Sequence, residues 1–242
     1  MRIPFWRRRD WWLTAVASFA AAMAVALVFV FPAAAAAVCP QCFGFEHAGR
    51  AIFVERSMNA DARANAVAVV QQARERVGRF YGERLRDTPV LICATGACYQ
   101  RLRGGGSRGM AIYDFALMLA PSGVSETIAA HELSHIEFHA RIGAWRIFRD
   151  AVPTWFDEGL AVVVSDDPRY LDPPDLADRC RDTITELPVT LREWLRAAGK
   201  QPLYHDAACK VQGWLAAHGG PAAVLRLTQR IAGGRSFAEA YR

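Results

Sequence analysis

Along residues 61–81 the apolar positions Val67, Val70, Val77, Phe80 and Tyr81 recur at helical spacing, with Arg63, Arg74, Arg76 and Arg79 between them. Such spacing predicts a helix with one apolar stripe, and the stripe belongs in a core. Two short apolar runs, residues 51–55 and 89–93, read as strands on either side of it. Between residues 111 and 119, Tyr113, Phe115, Leu117 and Leu119 alternate with Ile112, Asp114, Ala116 and Met118. One continuous strand is expected there. Pro121-Ser-Gly breaks the chain, and a helix then starts with Ser122 or Ser125 as its cap and runs to about residue 141. Pro153 opens another helix that reaches about residue 164. Residues 166–178 are rich in Pro and Asp and read as a loop. From Thr190 onward the chain is helical in pieces, broken at Gly199, Gly219-Gly220 and Gly233-Gly234. The sum is an α+β domain with a short mixed sheet and a helical C-terminal part.

The first 37 residues follow a different pattern. Residues 1–10 carry four arginines against one aspartate, and residues 11–31 carry no charge at all. A basic start, an apolar segment and small residues resemble an export signal, and Ala35 and Ala37 supply an A-x-A cleavage pattern. The same 21 uncharged residues, at about 1.5 Å each, would also span a hydrocarbon core of roughly 30 Å. Residues 1–37 are therefore expected to be a signal peptide or a signal anchor, residues 38–50 a stalk, and residues 51–242 the functional domain. Both forms of the segment imply export across the cytoplasmic membrane, with the membrane as a partner if the segment is retained.

Charge changes the picture little. The chain carries a formal net charge of +5, and most of it belongs to the first ten residues. A near-neutral body without a basic, aromatic-studded cluster gives no reason to expect nucleic acid. Gly104-Gly105-Gly106 is not followed by Gly-Lys-Ser/Thr, so it is no phosphate loop. All six cysteines, Cys39, Cys42, Cys93, Cys98, Cys180 and Cys209, follow the apolar segment. An even number in an exported chain suggests disulfides, and six cysteines allow 15 connectivities. Pairing of sequence neighbours gives Cys39–Cys42, Cys93–Cys98 and Cys180–Cys209. Cys39 and Cys42 also form a C-x-x-C, but without the βαβ context of a redox enzyme.

The chemistry is concentrated in the helix expected after Pro121. His131, Glu132 and His135 form H-E-x-x-H. Residues i and i+4 share a helix face, so both imidazoles can grip one cation. Glu132 lies about 100° round the helix and can reach a water beside that cation. A catalytic zinc takes three protein ligands and keeps a fourth position open, so a third ligand is required. His139, another four residues on, lies about 12 Å along the axis from His131, too far to share its ion. It reads as cleft lining or surface.

A second motif follows: Pro153, Thr154, then Trp155-Phe-Asp-Glu-Gly-Leu-Ala161. His131-Glu132-x-x-His135 with this downstream segment resembles the gluzincins, zinc peptidases whose third ligand is a glutamate on a later helix. The likeness is strongest to the small peptidase-MA-like members and more distant to the thermolysin-like and aminopeptidase enzymes. It implies a small gluzincin catalytic domain, Zn2+ as cofactor, His131, His135 and Glu158 as ligands, and Glu132 as general base. It also implies a peptide or protein substrate, held by the strand at 111–119 acting as a sheet edge. Two departures stand out. The 22 residues between His135 and Glu158 imply an inserted helix or loop at 141–152. Val162 stands where thermolysin has an aspartate, so another group must orient the histidines, with Asp157 and Ser165 nearest. Related peptidases place a Tyr or His from the C-terminal part on the oxyanion; here the candidates are Tyr204 and His205, with Tyr170 in reserve. The expected function is an exported zinc metallopeptidase. Its rivals are a non-catalytic zinc-containing envelope binding or assembly factor and a thiol–disulfide protein using Cys39 and Cys42.

Overall fold

A computed structural model describes residues 5–83, 87–173, 180, 186–198 and 202–242. It is a mixed α/β structure, mostly helical, around one five-stranded mixed sheet. The strands are β1 (Phe45–Gly49), β2 (Ile52–Glu55), β3 (Val90–Ile92), β4 (Gly109–Ile112) and β5 (Ala116–Leu119), in the order β1-β2-β3-β5-β4. The inner pairs β2/β3 and β3/β5 are parallel, and the outer pairs β1/β2 and β4/β5 are antiparallel. The parallel pair β2/β3 needs a crossover, and α3 (Ala60–Tyr81) supplies it. Asn59 caps this helix by accepting from the Ala62 N–H.

Side chains of the strands divide by the two-residue period of a sheet. Ile52, Val54, Val90, Ile92, Leu117 and Leu119 enter the larger core. Phe45, Leu91, Ala116 and Met118 enter a smaller one on the other face. Both faces are covered, which is why β3 and β5 read as unbroken apolar runs. The larger core is closed by α3, α5 (Glu126–Ile142), α7 (Thr154–Ser165), α9 (Leu203–His218) and α10 (Pro221–Ala232). The smaller is closed by α2 (Pro32–Val38) and α4 (Gly96–Arg101). Short helices α6 (Ala144–Phe148), α8 (Leu191–Ala197) and α11 (Phe237–Tyr241) complete the body.

Two expectations change. The strand foreseen at 111–119 is two strands: β4 and β5 form a hairpin, with Phe115 N–H bonded to Ile112 C=O across its turn. The alternation of apolar residues continues through the turn, but the backbone reverses there, with Tyr113 at φ +48°. The stalk foreseen at 38–50 is structured. It holds a 3-10 turn (Pro40–Phe43) and then β1, whose Phe45 is fully buried. Ala35 and Ala37, the expected cleavage pattern, lie buried in α2 beneath the sheet.

The apolar segment at 11–31 falls largely in α1 (Phe5–Val30), where Trp11, Trp12 and Phe19 are exposed. Among the described residues no helix is long and apolar enough to cross a membrane. The other elements stand close to their expected places: Ser125 caps α5, Pro153 precedes α7, and breaks fall at Gly219-Gly220 and Gly233-Gly234. The insertion foreseen at 141–152 contains α6. The break expected at Gly199 and the last part of the loop at 166–178, residues 174–178, lie outside the described residues. The three disulfides are the sequence-neighbour pairs Cys39–Cys42, Cys93–Cys98 and Cys180–Cys209.

Candidate metal centre

Helices α5 and α7 pack against each other, and α7 packs in turn on α9. Gly159 makes the second contact close: a Cβ there would stand 2.4 Å from the Ala207 carbonyl oxygen. The packing carries Glu158 over the His131–His135 face of α5. Three ligand atoms converge. His131 Nε2 and His135 Nε2 are 3.2 Å apart. Glu158 Oε2 stands 3.4 Å from the first and 3.7 Å from the second.

A tetrahedral zinc with bonds of about 2.0–2.1 Å holds its donors roughly 3.3 Å from one another. The three separations fit that requirement. The donor set, two neutral imidazoles and a carboxylate, also suits a borderline-soft divalent ion. A second group, His135, His139 and Asp157, shares one histidine with the first. Its atoms stand at hydrogen-bond separations of 2.8 Å and 2.7 Å, closer than two donors on one tetrahedral ion. These contacts orient side chains and do not form a second cation site.

Asp157 is thus the group that fixes the histidines. Its Oδ1 accepts from His135 Nδ1, which leaves His135 Nε2 to face the ligand cluster. Its Oδ2 accepts from His139 Nε2. His139, expected as cleft lining or surface, is buried and buttresses Asp157. The i+4 spacing from His135 was the available signal. Ser165, the other candidate, turns away and donates to Val162 C=O within its own helix.

The electrostatics follow from this burial. Burial opposes the charge on Asp157, but the His139 and His135 rings outweigh it and hold its carboxyl well below the usual range. Glu158 behaves alike: burial raises it, the adjacent His131 and His135 rings lower it more, and its pKa falls to about 2. Burial would deprotonate His135, yet the neighbouring Asp157 and Glu158 raise its pKa well above 6.5.

Glu132 sits one residue beyond His131, outside the three-donor group. Its Oε2 accepts a 2.8 Å hydrogen bond from the Ala111 N–H on edge strand β4. The strand passes closest at Gly109, where a Cβ would meet Glu132 Cγ at 2.7 Å. Neither contact was legible in the sequence, because both join residues more than twenty positions apart.

Tyr204 lies beside His131, with ring centroids 6.4 Å apart, and stacks on Tyr170 at 4.8 Å. Burial, with the nearby Glu158 charge, pushes its hydroxyl up to about 12. An Arg169 guanidinium lies over the outer ring, Tyr170, and is paired with the buried Asp167. His205 occupies a different place. Its Nδ1 donates to Tyr170 C=O, and it is outside the converging donor groups found among the described residues.

No family model, curated protein or solved structure matches this chain. The site is therefore read from its own geometry.

Proposed function

We propose that the protein is a zinc-dependent peptidase of the gluzincin kind, with His131, His135 and Glu158 as metal ligands and Glu132 as general base. The observation that carries the reading is the 3.2–3.7 Å convergence of those three donors, with a second carboxylate, Glu132, on the residue after His131. Bound zinc would lower the pKa of water towards 7 and share the charge of a developing oxyanion.

The chain's own residues supply the rest. Glu132 takes a proton from the attacking water as the water oxygen bonds to the peptide carbonyl carbon. The same carboxyl then delivers that proton to the amine nitrogen as the C–N bond breaks. Tyr204 stays protonated throughout the neutral range, since its pKa stands at about 12. Its O–H can therefore donate to the oxyanion. Asp157 keeps His135 in the tautomer that presents Nε2, and β4, an edge strand, offers a line along which an extended substrate can lie.

Export fits the same reading. Residues 1–31 are basic and then uncharged, and three disulfides suit an oxidising compartment.

The test is digestion of a diverse peptide mixture by the zinc-loaded full-length protein, read by mass spectrometry beside the Glu132→Ala variant. Cleavage that disappears in the variant is the expected result. Zinc binding without cleavage by either protein would overturn the peptidase reading and favour a zinc-stabilised binding factor.

A further inference from the structure

Four large aromatic side chains are exposed on two neighbouring elements. Tyr113 and Phe115 lie in the β4–β5 turn, and Trp145 and Phe148 lie on α6. Their exposures are 44%, 40%, 67% and 61%. The two elements meet: Tyr113 and Phe148 have ring centroids 6.4 Å apart, and Trp145 stacks on Phe148 at 5.7 Å. The result is one continuous ledge of Tyr113, Phe148 and Trp145. A soluble surface does not ordinarily group large rings in this way without a partner.

The ledge is continuous with the edge strand that runs past Glu132. Ala120 N–H bonds Arg108 C=O at one end of the hairpin. In an antiparallel pair bonded residues alternate, so Met110 and Ile112 face β5 while the N–H and C=O groups of Gly109 and Ala111 face outward. The Ala111 N–H duly reaches Glu132. Tyr113 follows Ala111 by two residues, or about 7 Å of strand. A peptide laid along β4 with its scissile bond at Glu132 would place a side chain two or three residues away against these rings.

We infer that Tyr113, Trp145 and Phe148 form a substrate-selecting ledge that takes an aromatic or large aliphatic side chain of an extended peptide, two or three residues from the bond cleaved. The inference rests on the peptidase reading and deepens it. A lipid surface is the other class of partner for exposed rings. Arg146, Arg149 and Arg235 line a pocket beside Trp145 and would attract anionic headgroups, so the peptide is favoured not by charge but by the ledge's continuity with the strand edge that reaches Glu132.

The experiment compares cleavage-site profiles from a diverse peptide mixture, using the zinc-loaded wild type, Trp145→Ala/Phe148→Ala, and Leu195→Ala. Leu195 is an exposed apolar residue on α8 and is not part of the ledge. The expected result is enrichment of large apolar residues two or three positions from the cleaved bond in the wild type and in Leu195→Ala. In the double variant, kcat/KM for those peptides falls about tenfold, the scale of one partly buried aromatic contact. Cleavage without that enrichment, or enrichment that survives in the double variant, overturns the ledge and leaves the peptidase reading standing. No cleavage by any of the three overturns both. Sedimentation with phosphatidylglycerol vesicles that is lost in the double variant, while its cleavage profile stays unchanged, assigns the face to a lipid surface and also overturns the inference.

Discussion

Asp157 Oδ1 accepts a hydrogen bond from His135 Nδ1 at 2.8 Å, on the side of the ring opposite the ligand cluster. Carboxylates in this relation to a metal-bound histidine fix its tautomer and raise its basicity. Asp157→Ala should therefore weaken zinc binding by about 10–100-fold. Competition with a zinc-binding dye reads the change directly. His139→Ala, which removes only the second partner of Asp157, should weaken binding less. Equal losses for the two variants would show that the Asp157–His139 contact, and not the His135 contact, does the positioning.

Gly159 is the residue through which α7 and α9 touch. A methyl group there would stand 2.4 Å from Ala207 C=O and 3.0 Å from Val211 Cγ2. The backbone carbonyl cannot rotate away, so the helices must separate. Overpacking of this kind costs about 1–3 kcal/mol. Gly159→Ala is expected to lower Tm by several degrees. It should also weaken zinc binding, since Glu158 moves with α7. Thermal unfolding in zinc and in EDTA separates the two effects, and an unshifted Tm in EDTA would refute the packing argument.

Gly109 bears on Glu132, the proposed base, and not on the proposed ligands. Its added Cβ would fall 2.7 Å from Glu132 Cγ. Gly109→Ala should push Glu132 aside while leaving His131, His135 and Glu158 in place. Misplacement by about 1 Å can cost on the order of 10²-fold in rate. The expected variant binds one zinc as the wild type does and loses kcat by that order. A loss of zinc stoichiometry would show instead that β4 supports the whole site.

What the sequence made legible was local. The α5 pattern, its Ser125 cap and the i, i+4 histidines all lie within one helix, and each appears where its spacing placed it. Glu158, the proposed third ligand, was reachable only through a resemblance, because no spacing rule connects it to a helix 22 residues away. The hairpin was misread for a local reason: Tyr113 and Phe115 keep the strand alternation through a turn whose reversal depends on backbone angles. The stalk was misread for a tertiary one. Phe45 gains its place by packing against Leu91 and Met118, residues far along the chain. His139 carried a visible signal, but its meaning depended on Asp157 arriving from another helix.

Proton release should accompany zinc binding. Burial lowers the pKa of His135, but Asp157 and Glu158 more than restore it, so the metal-free ring stays protonated well above pH 6.5. A metal ligand must be neutral imidazole, so zinc expels that proton at pH 7. Calorimetry in two buffers of different ionisation enthalpy should show release of about one proton, with affinity rising about tenfold per pH unit until His135 titrates. The stability of the metal-free protein follows the same groups. A raised His135 stabilises fully below its unfolded pKa of 6.5 and loses that contribution as pH climbs through the folded value. A lowered Glu158 stabilises above 4.5 and loses its contribution as pH falls towards about 2. Denaturant midpoints in EDTA should accordingly peak between about pH 4.5 and 6.5 and decline on the alkaline side, whereas zinc-loaded protein gains stability over that same alkaline range. A metal-free protein that becomes more stable above pH 7 would contradict the charged His135–Asp157 pair.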